Sequence, residues 1–343
     1  MMTESPKTGI RWGIIGCGNV TEVKSGPAFN KIPNSSLIAV MRRDRAKAKD
    51  YAERHKVPKY YDDADLLIND PDINAVYVAT PPGSHEAYAI AAMNAGKPVY
   101  VEKPMAVDLA ACVRMKAFAE KTNSKLTIAH YRRALPKFLY IKELIGTGTI
   151  GEIRTVRISI LQRDKSALIA DAENNWRVDP AIAGAGLFYD LAPHQLDLVV
   201  YFFGKPFDIT GISANQAGLY KAEDVVTGIM RLPNNIVFSG QWCYTVGEGL
   251  DEDLFEIVGS KGKISFTVFG HEVLVHNGGT EKLVKFEPPA HIQQPLITEI
   301  VQYFLGEGNN PCSAEDAIES MKVMEAFAYG NEQNRIKSIG QLF

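Results

Sequence analysis

The chain has 343 residues, 46% of them apolar and 22% charged, which allows two globular domains with separate cores. Its formal net charge of -3 gives no electrostatic reason to expect nucleic acid or an anionic membrane as a partner. The start, Met1 to Lys7, is polar with no apolar signal core, and no apolar run approaches the roughly 20 residues of a bilayer span.

Along the first 130 residues apolar strands alternate with amphipathic helices. Strands are expected at Arg11 to Ile15, Leu37 to Met41, Lys59 to Tyr61, Ala75 to Ala79, Pro98 to Val101 and Lys125 to Ile128. Helices are expected after the first glycine turn and at Arg45 to His55, Ala64 to Asn69, Ser84 to Ala95 and Asp108 to about Lys121. This order predicts an α/β domain with a parallel sheet covered by helices on both faces. The pattern then changes. Helices at Pro136 to Ile145 and Leu187 to Phe203 flank a long strand at Glu152 to Leu161. Turn-separated strands follow at Ile209 to Ala214, Val225 to Leu232, Ile236 to Cys243, Leu254 to Gly259, Gly262 to Val268 and Val273 to His276. They predict an α+β domain with a large, mostly antiparallel sheet, one face covered and the other open to a second copy of the chain. A last helix spans Ser313 to Tyr329, with Ser313 as its cap. Four scattered cysteines (Cys17, Cys112, Cys243 and Cys312), with no CxxC pair, suit a reducing compartment, and the expected location is the cytoplasm.

Gly13-Ile14-Ile15-Gly16-Cys17-Gly18 is a strand entering a glycine turn. Gly16 and Gly18 permit close approach of backbone amides to a dinucleotide pyrophosphate, with Asn19 and Val20 opening the helix beside it. Thr21 stands where the motif has its third glycine. Gly146 to Gly151 forms a complete GxGxxG, but it lies between a helix and a strand, where it reads as a connecting turn. The second strand ends in Met41-Arg42-Arg43-Asp44. Arg42 occupies the place of the acid that takes a ribose 2′-hydroxyl, and with Arg43 it suits a 2′-phosphate, so NADP is favoured over NAD. A strand end shifted by one residue would instead turn Asp44 to the ribose. Thr80 and Pro81 follow the fourth strand, over the place of the nicotinamide ribose, and His85 begins the next helix as a candidate cofactor contact.

Val99-Tyr100-Val101-Glu102-Lys103-Pro104 carries a lysine at a strand's carboxyl end, directed by the proline after it. Beside a cationic nicotinamide it can polarise or deprotonate a substrate hydroxyl. Asp190 and His194 are four residues apart and share a helix face. Carboxylate and imidazole together suit acid/base work near neutral pH. Pro193 between them implies a helix that has just begun. Asp197 extends the face and keeps a metal site open as a competing reading, without a third or fourth ligand in evidence.

Gly16-Cys17-Gly18, Glu102-Lys103-Pro104 and Asp190-x-x-x-His194 together resemble the Gfo/Idh/MocA oxidoreductase family, over nearly the whole chain. The resemblance implies a Rossmann domain (1–130), an open-sheet substrate and oligomerisation domain (131–312) and a C-terminal helix and tail (313–343) returning to the first domain. It implies hydride transfer between NAD(P) and a sugar, polyol or related alcohol, in a homodimer or homotetramer. Lys103 matches the family's catalytic lysine, His194 its acid/base position and Asp190 its substrate-orienting aspartate. Glu102 shares the lysine's motif and joins the expected cofactor contacts. Trp176 and Arg177 are similar to a pair that contacts cofactor and substrate, and Tyr131 and Arg132 match a segment lining the substrate cleft. A non-redox NAD-dependent glycosidase on the same scaffold and a cofactor-sensing regulatory protein are the alternatives.

Overall fold

A computed structural model describes residues 9–163, 176–179, 182 and 185–330, and the chain divides into two compact units. The first gathers the chain up to Ala106 with Ala110–Ala134 and Pro289–Ala317. The second gathers Val107–Leu109, Leu135–Pro288 and the chain from Ile318. Pro289–Ala317 is the stretch grouped with the first unit, while most of the last helix belongs with the second. Among the described residues no helix is long and apolar enough to cross a membrane.

The first unit holds six parallel strands: β1 (Ile10–Ile15), β2 (Ser35–Met41), β3 (Lys59–Tyr61), β4 (Ala75–Val78), β5 (Val99–Val101) and β6 (Leu126–Ile128). Their order is β3-β2-β1-β4-β5-β6, the doubly wound sheet that the strand-helix alternation predicts. β4 and β5 are buried along their whole length, because parallel strands covered on both faces need apolar side chains at every position. The connecting helices are α1 (Asn19–Val23), α2 (Arg45–His55), α3 (Ala64–Ile68), α4 (His85–Asn94) and α5 (Leu109–Thr122). Trp12, at 0% exposure, packs on Phe29 at 4.8 Å between ring centroids and on Phe304 at 5.5 Å.

The second unit begins with α6 (Pro136–Gly146), then β7 (Ile153–Leu161) and α7 (Gly186–Phe203). The remaining strands are β8 (Phe207–Ala214), β9 (Val225–Leu232), β10 (Ile236–Cys243), β11 (Glu252–Gly259), β12 (Gly262–Phe266), β13 (Glu272–Asn277) and β14 (Thr280–Lys285). They form one sheet in the order β14-β13-β12-β11-β7-β10-β9-β8, antiparallel except for the β7–β10 pair. Burial alternates along β9 and β10, so one face is covered and the other open. The open face exposes Ile212, Ile229 and Val237. Strand β14, at one edge, is mostly exposed and carries Glu281, Lys282 and Lys285. At the other edge β8 slips register between Phe207 and Thr210, where Asp208 has a positive φ of 51°.

One described strand, β14, and one described α-helix, α8 (Gln294–Leu305), lie outside the expected set. α8 buries Leu296, Ile297, Ile300, Val301 and Phe304, an apolar stripe at helical spacing. Pro193 also differs from expectation, since it stands well inside α7 rather than in its first turn. The GxGxxG at 146–151 is the connection between α6 and β7, as its position in the chain implies.

The covered face of the second sheet has a flat seat of glycines. Gly211 pairs with Gly228, and Gly228 with Gly240, across three neighbouring strands. α9 (Ala314–Tyr329) lays Phe327 on it, so closely that a Cβ at Gly228 would stand 2.3 Å from the ring and one at Gly211 2.4 Å from the Phe327 Cα. Gly228→Ala is therefore expected to cost about 1–3 kcal/mol by overpacking, lowering the melting temperature by several degrees. Gly146→Ala, with nothing within 4 Å of the added carbon, should leave melting unchanged or raise it slightly. Equal melting of Gly228→Ala and the parent chain would refute the close seat of Phe327.

Candidate active site

β2, β1, β4 and β5 are parallel neighbours, so their carboxyl ends share one edge of the first unit's sheet. At that edge lie Arg42, the Gly16–Gly18 turn, Thr80 and Pro81, and Glu102 with Lys103. Gly16 adopts φ +95°, and a Cβ there would stand 2.8 Å from the Thr80 nitrogen and 2.9 Å from the Ala79 carbonyl carbon. Only glycine meets both demands without strain. The Gly16 and Cys17 amides donate to the Met41 carbonyl at 2.9 and 3.2 Å, fixing the turn to the end of β2. At Gly18 a side chain would meet nothing nearer than the Gly16 oxygen at 3.9 Å. Open space therefore flanks the turn before Asn19, which is exposed, and Val20. Thr21 is fully buried where a third glycine was expected; its hydroxyl folds back to the Gly18 carbonyl at 2.8 Å.

β2 ends at Met41, which puts Arg42 directly after it. An Arg42 guanidinium nitrogen lies 3.4 Å from the Cys17 carbonyl, beside the glycine turn. Asp44 is occupied elsewhere: it caps α2, accepting from the Lys47 amide at 3.1 Å. Arg43 is exposed next to Arg42. A glycine turn too tight for a side chain, open space on its flank and a cation at its side fit a dinucleotide.

His85 takes a different place from the one expected. It is fully buried, one ring nitrogen 2.7 Å from the Thr80 carbonyl and the other 3.0 Å from the Pro104 carbonyl. The neutral ring, favoured by burial, donates to one of these carbonyls and sits between the loop after β4 and the loop after β5. Thr80 is held besides by the Ser84 hydroxyl at 2.8 Å, with Pro81 half-buried beside it. Glu102 is likewise buried, at 5% exposure, and is engaged by protein donors. Its carboxylate accepts from the Tyr77 hydroxyl at 2.5 Å and from the peptide N–H of Lys103 at 3.0 Å. Lys103 is half-buried and joined to Pro104 by a cis peptide bond. Tyr131 and Arg132, in a 3-10 turn after β6, are both buried, the guanidinium 5.3 Å from the Tyr131 ring centre.

In the second unit Arg177 and Asp190 meet. The guanidinium Nε donates to Asp190 at 2.9 Å, and both side chains are less than one-fifth exposed. Asp190 and His194 follow one another on α7, His194 at 7% exposure and Asp197 at 1%. The side chain of Trp176 lies outside the described residues. Sequence reasoning missed the neighbour of His194, Phe269, whose ring stands edge-on at 5.7 Å. The loop that carries it is fixed from two sides. Asp253 accepts from the Val268 and Phe269 amides, each at 2.8 Å, and the buried Lys137 donates to the Thr267 and Gly270 carbonyls, each at 2.6 Å. A lysine near a helix start gives no sequence signal for such a contact.

The chain matches the GFO_IDH_MocA model, an oxidoreductase family with an NAD-binding Rossmann fold, over residues 10–130. It matches the model of the GFO/IDH/MocA C-terminal domain over residues 138–265. It is 44% identical to Oxidoreductase P35 of Formosa agariphila over 318 residues, covering 93% of this chain and 98% of that protein. It is 28% identical to an inositol 2-dehydrogenase of Acidothermus cellulolyticus, over 75% of this chain and 72% of the relative. Among solved structures, levoglucosan dehydrogenase in complex with NADH and levoglucosan superposes with a TM-score of 0.84 at 22% identity. That match covers 95% of this chain and 98% of the other.

The helix after the glycine turn is tethered by Glu22, which accepts two hydrogen bonds from Arg54 at 2.8 Å and approaches His55 at 2.7 Å. The Arg54 hydrogen bonds hold its carboxyl at about 2, against an ordinary value of 4.5. A carboxyl depressed on folding contributes stability above its unfolded pKa and loses it as pH falls toward the folded one. Glu22→Gln should therefore cost about 1 kcal/mol near neutral pH. In urea unfolding that difference should close between about pH 4.5 and 2; a pH-independent difference would exclude the ion-pair tether.

Proposed function

Since the chain belongs to the Gfo/Idh/MocA family of NAD-binding oxidoreductases, we propose that it moves hydride between nicotinamide and the CH–OH carbon of a sugar, cyclic polyol or related alcohol. The observation that carries this reading is Lys103, at the carboxyl edge of the same sheet that holds the glycine turn, one strand beyond Thr80. The inositol and levoglucosan enzymes among the similar proteins favour a polyhydroxylated substrate.

The bound cofactor supplies the hydride acceptor or donor at its nicotinamide ring. In oxidation His194 accepts the hydroxyl proton as hydride leaves the same carbon, and Lys103 stabilises the charge that develops on oxygen. Asp190, held by Arg177, orients the substrate hydroxyl and the imidazole one turn along its helix. In reduction the proton returns from His194 to the carbonyl oxygen. Tyr131 and Arg132 would border the substrate, and Arg177 would contact both substrate and cofactor. Gly16, Gly18, Asn19 and Val20 would hold the pyrophosphate, and Thr80 and Pro81 the nicotinamide ribose. Arg42 and Arg43 favour the 2′-phosphate of NADP(H), because guanidinium groups donate to phosphate in pairs and offer a 2′-hydroxyl no acceptor. The open sheet face, with Ile212, Ile229 and Val237 uncovered, pairs with a second copy in a homodimer or homotetramer.

Lys103→Met should lower turnover at least about a hundredfold on whichever aldose, cyclic polyol or anhydrosugar serves best with NADP+ or NAD+. Its fluorescence titration with NADPH should match the parent's. Near-parental turnover would remove the assignment. In the same titration the parent should bind NADPH more tightly than NADH, and Arg42→Ala should lose about tenfold in NADPH affinity with NADH little changed. Equal binding of both cofactors by the parent would overturn the preference and leave the hydride reading standing.

A further inference from the structure

Glu102 needs more than Tyr77 and the Lys103 amide, because a buried carboxylate has lone pairs on both oxygens to satisfy. The remaining donor comes from 191 positions along the chain. The Gln293 amide nitrogen donates to Glu102 Oε1 at 2.7 Å, the oxygen that Tyr77 also reaches, while Oε2 faces the Lys103 peptide. Gln293 is 0% exposed, and its own carbonyl oxygen accepts from the Tyr100 hydroxyl at 2.8 Å. The amide has one possible orientation. A carboxylate only accepts, so the NH2 group faces Glu102 and the oxygen faces Tyr100. Tyr77 and Tyr100 are register partners on β4 and β5, stacked at 4.6 Å. Burial pushes both hydroxyls well above their ordinary pKa, which keeps them neutral donors. The backbone of Gln293 is also fixed: its N–H donates to the Lys24 carbonyl at the end of α1, at 3.1 Å.

We propose that Gln293 is the positioning residue of the reaction, fixing the Glu102 carboxylate so that it holds the Lys103 peptide, and joining that lysine to the helix behind the glycine turn. The proposal rests on the reading of Lys103 given above. Gln293 itself touches neither cofactor nor substrate; it acts through Glu102. Without it Glu102 Oε1 keeps Tyr77 alone and Tyr100 loses its acceptor, so the carboxylate is free to rotate away from the Lys103 N–H.

Two substitutions test this in the full chain. Gln293→Met keeps the length and removes both hydrogen bonds. Amide hydrogen exchange over residues 99–106 should accelerate while β1 exchanges as in the parent. kcat should fall about tenfold, the scale of one lost hydrogen bond to a charged group, with KM and NADPH affinity unchanged. Gln293→Glu can donate to Glu102 only while the pair shares a proton. Its exchange and kcat should therefore approach the parent's at acid pH and worsen as pH rises, a dependence that a filler of space would not show. Parental exchange and kcat in Gln293→Met overturn the proposal, as does an acceleration spread evenly over β1 and β4, which marks general destabilisation. Lys103→Met separates the two readings. If it retains turnover, the role of Lys103 fails and this proposal with it. If it is inactive while Gln293→Met behaves as the parent, the Gln293 proposal fails alone.

Discussion

A carboxyl group buried at the end of a parallel strand costs several kcal/mol unless hydrogen-bond partners surround it, and Glu102, just after β5, imposes that condition on the first unit. The sheet answers with tyrosines at matched positions of two adjacent strands, whose rings fill the core while their hydroxyls turn to polar partners. A third partner must come from outside the alternating strands and helices, and this explains why Pro289–Ala317 is part of the unit. α8 seals the apolar side with Phe304 against Trp12, and the residue just before it supplies the amide. Packing and polar satisfaction thus call for the same segment. The peptide of Lys103 is fixed as a result of burying its neighbour.

The second unit reaches order by a different route. Its sheet has one wet face, so covering the other falls to α7 and α9, with Phe188 meeting Trp242 and Phe327 settling on a row of glycines. α7 carries Asp190 and His194 as well as core residues. Its apolar positions are buried, and Asp190 emerges just far enough to meet Arg177. Around His194 rigidity comes from polar contacts to backbone, a lysine and an aspartate binding one loop between them. In both units hydrogen bonds between residues far apart in sequence set the geometry near a proposed catalytic group.

The parallel sheet was legible because strands buried on both faces spell unbroken apolar runs, and α2 because Asp44 and the charged residues after it mark its start. The edge order followed from the glycine turn and Lys103 lying on strands of one sheet. Less was legible where a residue's role depends on a distant partner. His85 reads the same in sequence whether it faces a ligand or two carbonyls, and Glu102 and Gln293 share no local pattern. Pro193 misled for a physical reason: the interior of α7 tolerates it, although proline removes one hydrogen bond of the helical ladder. β14 has four polar residues around the adjacent apolar pair Leu283 and Val284 and leaves no alternation to read. α8 did carry a stripe, Leu296, Ile297, Ile300, Val301 and Phe304, and was there to be found.

The two edges of the eight-stranded sheet have a consequence for crowded solutions. A bare edge offers unpaired backbone groups to any passing strand, and growth by strand addition has no natural end. Here one margin is fenced by charges of both signs on β14 and the other is bent at Asp208. Lateral accretion into fibres is disfavoured at both. The face-to-face pairing proposed above would instead close on itself and halt at a finite particle.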